Sequence, residues 1–312
     1  MAERLIPLAQ RAATSYPELT AYCDWALQQR GFTPATVRQS RWHLTYFLTW
    51  CAARGRCVAN VAIGDIDSYI VAQSERGWCR RTMNSVAKIL RMFFRFAAQQ
   101  GFTRRDLSIA IQAPRIYAME GLPAAIDWAD VRRLFASINL RHARDVRALP
   151  MLMLVAIYGF RAGEVTTLRL EDLDWERRRL SVRRLKRRGT QEYPLLPSLS
   201  HALIRYLKEV RHQSHEHREI FLSLAPPFRP ITVQTLYKMV SARLQRVGVS
   251  APHWGPHCLR HSCAMRLVAE GLSLKEIGDH LGHRSTRSTR IYAKVDLAGL
   301  RDVAAFDLGE LS

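Results

Sequence analysis

Acidic side chains and lysine are both scarce in this 312-residue chain. It holds 27 Asp and Glu against 47 Lys and Arg, which gives a formal net charge of +20. The lysines are Lys88, Lys186, Lys208, Lys238, Lys275 and Lys294, so arginine carries nearly all the positive charge. This excess of positive charge predicts a polyanionic partner, and nucleic acid is the first candidate. Arginine suits phosphate binding because its planar guanidinium can make two hydrogen bonds to one phosphate. A genome that favours arginine codons would explain part of the same bias.

Cysteine spacing and apolar runs give no sign of an exported or membrane protein. The six cysteines form no C-x-x-C pair and no disulfide-scaffold spacing. The N-terminal residues contain no apolar core of signal-peptide length, so we expect reduced thiols in a cytoplasmic protein. The most apolar run, Leu149 to Phe160, is too short to span a bilayer and contains Pro150, which argues against a membrane partner.

The first 110 residues have the pattern of helices separated by short breaks. Pro17 opens the first helix at a favoured position, Thr33 with Pro34 caps the second, and Asp65 is expected to cap the third. A fourth helix is predicted over about 81–101, and four helices of this length make a small bundle. Its outer faces carry basic residues that are either solvated or turned toward DNA. These are Arg38, Arg41, Arg80, Arg81, Lys88, Arg91 and Arg95.

A linker is predicted between this bundle and the rest of the chain. The segment contains Pro114, Gly121 and Pro123 and has no clear period. We therefore expect a helical, DNA-binding domain over 15–110, a linker over 111–126 and a second domain over 127–312. Asp127 is the expected cap of the second domain's first helix.

The second domain is predicted to be mainly α with a small antiparallel β-sheet. A strongly apolar, buried helix is expected over 146–158. Apolar and polar residues then alternate over about 179–196, which predicts a β-hairpin whose second arm, with Pro194, lies at an edge. Helical patterns resume over 198–213, 232–247, 256–270 and 273–282.

Phosphodiester chemistry accounts for several residues of this second domain. Breaking and rejoining a DNA strand without an external energy source requires the bond energy to be kept, and a tyrosine can keep it as a phosphotyrosyl ester. The phenol must lose its proton as it attacks, since its pKa is about 10. Fixed Arg and His donors stabilise the added negative charge, and a Lys or His can protonate the leaving 5′ oxygen.

Two motifs supply arginines and histidines at suitable spacing. Arg161 follows the buried helix, and Glu164, one turn on, can orient Arg161 or cap a helix. Taken alone, Arg161 is equally well explained as an exposed side chain in a turn. His257 and Arg260 lie three apart and share one helix face, and His261 shares the face of His257.

The last motif contains a histidine and a tyrosine. Gly282 ends a short helix and is expected to present His283, and Tyr292 follows nine residues later. Taken singly, a helix-terminal histidine is more often a dipole partner, and such a tyrosine more often a half-buried structural ring.

A metal site is the weaker explanation of the histidines. His253, His257 and His261 are spaced by four residues. Pro256, however, is expected to start the helix and leave His253 outside it, and the cation of Arg260 would oppose a metal ion.

Three motifs in these segments resemble those of the tyrosine recombinase, or phage integrase, family. They are Arg161-x-x-Glu164, His257-x-Leu-Arg260-His261-Ser, and Leu281-Gly-His283 with Tyr292 nine residues on. The resemblance covers roughly residues 15–305. It implies a two-domain DNA clamp, in which a helical core-binding domain precedes a catalytic domain, and a reaction without a metal or nucleotide cofactor.

The resemblance also implies a role for each side chain. The expected roles are Tyr292 as nucleophile, Arg161, Arg260 and His283 as ligands of the scissile phosphate, and His257 as proton acceptor and phosphate ligand, with Glu164 and His261 in support.

The resemblance also indicates a catalytic lysine. The family's lysine lies in a β-hairpin, eight residues before a Pro-Leu pair. Counting back from Pro194 gives Lys186, which would be the acid for the 5′ oxygen. The sequence departs from the family where Leu185 and Arg187 stand in place of flanking glycines, and Gln191 in place of a basic residue.

The implied function is site-specific recombination of double-stranded DNA through a 3′-phosphotyrosyl intermediate. Four protomers would act on two DNA sites, and the apolar positions after Tyr292 would dock either on a neighbouring protomer or on their own domain. Two alternatives stay open, a type IB topoisomerase that relaxes DNA as a monomer and a non-catalytic DNA-binding accessory factor. The full set of Arg, Lys, His and Tyr argues against the accessory factor.

Overall fold

The chain divides into two compact units, Met1–Glu120 and Gly121–Ser312. Our computed structural model describes residues 16–116, 125–184, 189–213, 216–251, 254–283 and 289–293. Each unit has a hydrophobic core of its own. Residues 117–124, in the middle of the expected linker, lie outside the described residues.

Within residues 16–116, the first unit is a bundle of four helices, as the sequence predicts. The helices are α1 (Pro17–Gln28), α2 (Pro34–Ala52), α3 (Ile63–Glu75) and α4 (Arg80–Gln99), followed by a 3-10 turn at Leu107–Ile109. Their core is rich in fully buried aromatic rings. These include Tyr22, Phe47, Tyr69, Phe93 and Phe94. Thr33 caps α2 as predicted, because its hydroxyl accepts a hydrogen bond from the amide of Thr36 at 3.3 Å.

The start of α3 differs from the prediction. Ala62, not Asp65, occupies the N-cap position, and α3 begins at Ile63. Asp65 lies in the first turn, where its Oδ2 accepts a hydrogen bond from the Ala62 amide at 2.9 Å. A carboxylate in the first turn satisfies a free amide as a cap does and also favours the positive end of the helix dipole. The helix therefore starts earlier than the position of the acidic residue indicates.

In the residues that the structure describes, the second unit is mainly helical with a small antiparallel sheet, which confirms the predicted fold class. Its helices are α5 (Trp128–Ala136), α6 (Ala143–Ala156), α7 (Ala162–Thr166), α8 (Pro197–Glu209), α9 (Val233–Arg246), α10 (Pro256–Ala269), α11 (Leu274–Leu281) and α12 (Arg290–Ala293). The strands are β1 (Leu173–Asp174), β2 (Arg179–Arg184) and β3 (Gly189–Pro194), antiparallel in the order β1-β2-β3. The hairpin of β2 and β3 is the predicted one, and β3 is an edge strand.

The apolar helix α6 forms the centre of this unit's core. It packs against α8 and α10, and Leu152, Leu154 and Val155 are fully buried. After α6 the chain turns at Gly159, whose φ is +67°. A Cβ there would clash with Cδ2 of Leu281, so glycine permits the close approach of α11. Within the described ranges, no helix is long and apolar enough to cross a membrane.

Candidate active site

Arg161 and Glu164 form the first part of the site. Arg161 is the N-cap residue of α7, and Oε2 of Glu164 accepts a hydrogen bond from the Arg161 amide at 2.8 Å. Oε1 of the same carboxylate accepts one from the Arg161 guanidinium at 2.9 Å. Glu164 therefore both caps the helix and orients Arg161, as the spacing predicts.

The carboxylate of Glu164 is shared with a second arginine. Arg184, at the end of β2, donates from its guanidinium to Oε2 of Glu164 at 2.7 Å, and both side chains are buried. Burial would raise the pKa of Glu164, but the amide hydrogen bond from Arg161 and the charge of Arg184 outweigh it and lower that pKa. Glu164 is therefore a buried anion between two cations.

Arg260 extends from α10 into the same interior and is only 5% exposed. Its guanidinium donates hydrogen bonds to the carbonyl of Gly159 and, at 2.8 Å, to the carbonyl of Leu281. Burial and the charge of Arg161 lower the pKa of Arg260 to about 10. Arg260 is still a cation at neutral pH, and its two carbonyl partners fix its orientation.

The C-terminal end of α11 is where these side chains meet. The last carbonyls of a helix have no partner within the helix. Here the carbonyls of residues 279–282 each accept a hydrogen bond from a side chain of another segment. The donors are Gln191 to Asp279 (2.8 Å), Arg184 to His280 (3.0 Å), Arg260 to Leu281 (2.8 Å) and Arg161 to Gly282 (3.1 Å). We call these four acceptors the α11 carbonyl row.

Gly282 ends α11 in the left-handed conformation, with φ of +61°, and His283 follows as predicted. Nδ1 of His283 lies 2.8 Å from the hydroxyl of Thr289. Burial, then the charges of Arg260 and Arg161, lowers the pKa of His283 to about 4. The imidazole is therefore neutral at pH 7, and Thr289 fixes the orientation of its ring.

Tyr292 lies on α12 beside these groups and is 1% exposed. Its hydroxyl is 2.8 Å from Nδ1 of His261, and its ring is nearly parallel to that of His283, with centroids 6.5 Å apart. Burial raises the pKa of Tyr292 to about 12, although the charge of Arg260 opposes the shift. Burial, then nearby His257 and Arg260, lowers the pKa of His261 to about 4.

Of the two remaining predicted site residues, the structure describes His257 but not Lys186. His257 lies on α10, one turn before Arg260, and is exposed. Lys186 lies in the segment between β2 and β3, outside the described residues. His253 of the alternative metal site, before α10, is also outside the described residues. The structure thus brings together Arg161, Glu164, Arg260, His261, His283 and Tyr292.

The sequence interpretation missed three residues of this site, Arg184, Gln191 and Thr289. A signal for Arg184 was present, because Leu180 and Val182 alternate inward on β2 and residue 184 continues the same face. Gln191 was noted only as standing in place of the family's basic residue, without a role, and Thr289 gave no comparable signal, since threonine is common in loops.

Comparison with known proteins agrees with this geometry. A family model described as "Phage integrase family" matches residues 125–298, which is more than half of the chain. The chain belongs to the phage integrase, or tyrosine recombinase, family. This confirms the resemblance drawn from the three motifs.

Individual relatives of this integrase-family chain carry similar names. The putative integrase/recombinase y4rA of Sinorhizobium fredii is 34% identical over 248 residues, which is 79% of this chain and 60% of that relative. The chain thus spans about three fifths of that relative's length. The tyrosine recombinase XerD of Listeria monocytogenes (serotype 4b) is 26% identical over 288 residues, 90% of this chain and 95% of XerD.

A solved structure shares the fold of this family member. The XerH site-specific recombinase, bound to a palindromic difH substrate in a post-cleavage complex, superposes with a TM-score of 0.70 at 18% identity. The superposition covers 95% of this chain and 85% of the XerH chain.

Proposed function

We propose that this chain is a site-specific recombinase that cuts and rejoins double-stranded DNA through a 3′-phosphotyrosyl intermediate. The convergence of Tyr292 with Arg161, Arg260 and His283 in one basic interior carries the proposal. The phosphotyrosyl ester keeps the energy of the broken bond, so rejoining needs no metal or nucleotide cofactor.

The hydroxyl of Tyr292 is the proposed nucleophile. At 1% exposure it does not face solvent, so its side chain must leave the contact with His261 before it reaches a phosphate. We assign His261 to holding the phenol in the DNA-free protein. His257, exposed on the same helix, is the proposed proton acceptor and phosphate ligand once DNA is bound.

Arg161, Arg260 and His283 are the proposed ligands of the scissile phosphate. The two guanidinium groups are held by Glu164 and by backbone carbonyls, so little reorganisation is needed when negative charge develops on the phosphate. Nδ1 of His283 is occupied by Thr289, which leaves Nε2 for the phosphate. Fixed donors of this kind stabilise the transition state more than a mobile side chain in water would.

Lys186 is the proposed acid for the leaving 5′ oxygen. It belongs to the segment that joins β2 and β3, and its assignment depends on the family resemblance and on its position eight residues before Pro194.

DNA is the proposed partner of both domains, the helical core-binding domain over 15–110 and the catalytic domain over 127–312. Exposed basic residues of the first unit support contact with DNA. They are Arg38, Arg41, Arg80, Arg81, Lys88 and Arg95. Arg91 is instead tied to the carbonyl of Ile111 at 2.9 Å. We further propose that four protomers act on two DNA sites, in the cytoplasm, with the segment after Tyr292 as a docking tail.

Covalent capture of DNA tests the proposed function. The probe is a set of nicked duplexes that tile the DNA adjoining the gene, since inverted repeats there would contain the site. The wild-type protein is expected to form an adduct that survives denaturing electrophoresis, and Tyr292→Phe is expected to bind the same duplex without forming it. Tyr237→Phe, at an exposed tyrosine of α9, is the matched control.

Three results would change the assignment. An adduct in Tyr292→Phe would overturn the nucleophile, and binding without any wild-type adduct would indicate an accessory factor. Relaxation of a supercoiled plasmid without strand exchange would indicate a topoisomerase.

A further inference from the structure

Arg184, at the end of β2, is only 3% exposed. The proposed cleavage reaction assigns no role to an arginine at this position. A buried cation is costly unless it is paired and hydrogen-bonded. Its partners therefore indicate what keeps it in the interior.

The guanidinium of Arg184 joins three separate segments of the second unit. It donates to Glu164 on α7 at 2.7 Å, to Oε1 of Gln191 on β3 at 3.0 Å, and to the carbonyl of His280 on α11 at 3.0 Å. It also contacts the hydroxyl of Tyr193, which in turn donates to the carbonyl of His280. Three of its nitrogens are thus engaged at once, which only a planar fork can achieve.

The pairing with Glu164 affects Arg161 directly. Glu164 bonds the amide and guanidinium of Arg161 and also the guanidinium of Arg184. With Arg184 present, the single negative charge of Glu164 is shared between the cations of Arg161 and Arg184. The group of three side chains then keeps a net positive charge, which Arg161 can offer to a phosphate. Without Arg184, the same carboxylate would be balanced by Arg161 alone.

The contact with α11 affects His283. The carbonyl of His280 lies three residues before His283, in the last turn of the helix. Gly282 packs so closely on Arg184 that a Cβ there would lie 2.5 Å from its Nε. The side chain of Arg184 therefore packs against the end of the helix from which His283 projects.

We propose that Arg184 is a positioning residue for strand cleavage, which holds Glu164 in register with Arg161 and fixes the end of α11 that carries His283. This inference rests on the function proposed above, because it names a residue that serves the same site. Arg184 acts through its neighbours and is not assigned a contact with DNA.

Substitutions at adjacent positions of β2 test the proposal. Arg184→Gln removes the charge and most of the fork, and Arg184→Lys keeps a cation but cannot reach three acceptors. Arg183→Gln is the matched control, since Arg183 directly precedes Arg184 on β2 and its side chain is 63% exposed. Circular dichroism and thermal unfolding check that each variant folds.

Adduct formation on the nicked duplexes, at saturating DNA, is the first readout. Both Arg184 variants are expected to slow it by about 10- to 100-fold, since small misplacements of catalytic groups cost rates of this order. Their DNA affinity is expected to change by less than about threefold. Arg183→Gln is expected to cleave at the wild-type rate. An Arg184→Lys protein that folds and cleaves like the wild type would overturn the proposal.

The titration of Glu164 is the second readout and needs no DNA. The groups that surround this carboxylate are Arg161, Arg184, Tyr193 and Arg260. Arg184 is among the groups that lower the pKa of Glu164, so Arg184→Gln is expected to raise that pKa. Carboxyl carbon NMR of the DNA-free protein measures the change. The acid limb of the cleavage rate should move to higher pH in the same variant.

The two readouts separate this inference from the proposed function. A wild-type protein that forms no adduct would refute the proposed function, while the NMR titration still decides whether Arg184 controls Glu164. A wild-type adduct together with an unchanged Glu164 titration in Arg184→Gln would refute the positioning role alone.

Discussion

The hydroxyl of Tyr292 lies 2.8 Å from Nδ1 of His261, within a site that also holds Arg161 and Arg260. The Tyr292 ring is buried and the His261 ring is half-buried, and burial makes the charged form of each less favourable. The pair is therefore neutral at pH 7, a phenol beside an imidazole. Attack on a phosphate would require the tyrosine to leave this contact, so the DNA-free protein holds the proposed nucleophile in a resting position.

The neutral histidines make a prediction about pH. The pKa values of His261 and His283, lowered to about 4 by burial and nearby charge, lie below the ordinary value of about 6.5. Between these values the unfolded chain binds more protons than the folded one, so the free energy of unfolding should fall as pH falls from 6.5 toward 4. Imidazole NMR and urea unfolding at pH 7 and pH 5 measure both effects. Titration of both rings near 6.5 would contradict the prediction, and a His261→Asn, His283→Asn protein should show a weaker pH dependence.

Thr289 is expected to support His283. Thr289 is 1% exposed, and its hydroxyl is the partner of Nδ1 of His283. Thr289→Val keeps the shape but leaves that nitrogen unpartnered, at a cost of about 1–3 kcal/mol in stability. Adduct formation should slow by about 10- to 100-fold as the ring loses its orientation. Thr289→Ser keeps the hydroxyl and should stay near the wild-type rate; equal rates for the valine and serine variants would argue against this role.

Gly282 and Gly271 form a matched pair for a steric test. Both have positive φ, +61° and +83°, so alanine at either should cost about 1–2 kcal/mol of stability. A Cβ at Gly282 meets Nε of Arg184 at 2.5 Å, whereas nothing lies within 4 Å of one at Gly271. Gly282→Ala should therefore also lose cleavage, and Gly271→Ala should keep it. Melting temperature and adduct rate, measured together, separate the two effects, and equal adduct rates would refute the clash.

Lys186 is expected to protonate the 5′ oxygen that leaves. Lys186→Ala should slow cleavage of an ordinary duplex, because the leaving group then departs without its proton. A 5′-bridging phosphorothioate is a better leaving group and should restore the rate. Lys208→Ala, at an exposed lysine of α8, should behave as wild type on both substrates. Slow cleavage of the phosphorothioate by Lys186→Ala would exclude the acid role.

Most of the helices and the β-hairpin could be predicted from the sequence, because the patterns that define them involve residues close together in the chain. Apolar residues at helical spacing, with Pro17 and Thr33 at helix starts, report on neighbours along the chain. The two-residue strand β1 is too short to show alternation and was not predicted. The prediction that Asp65 caps α3 was wrong, because an acidic side chain satisfies the same amides from the first turn as from the cap.

The site was predictable as a set of residues but not as a set of contacts. The motif spacings identify Arg161, Arg260, His283 and Tyr292, and the structure brings all four together. The contact between His261 and Tyr292 spans 31 positions and depends on how α10, α11 and α12 pack, which no local period encodes. Arg184 was missed although it continues the inward face of β2, because arginine is common in this chain and is usually exposed.

The α11 carbonyl row also has a consequence for protein engineering. Donors from the N-cap of α7 and from β2, β3 and α10 converge on four consecutive peptide groups, so each of these segments must fit the same helix end. A chimera that takes its β-hairpin from one relative and α11 from another would pair donors with carbonyls that were never selected together. Exchange of DNA specificity between relatives should therefore leave the hairpin and α11 from a single parent, and place its crossovers in the first unit.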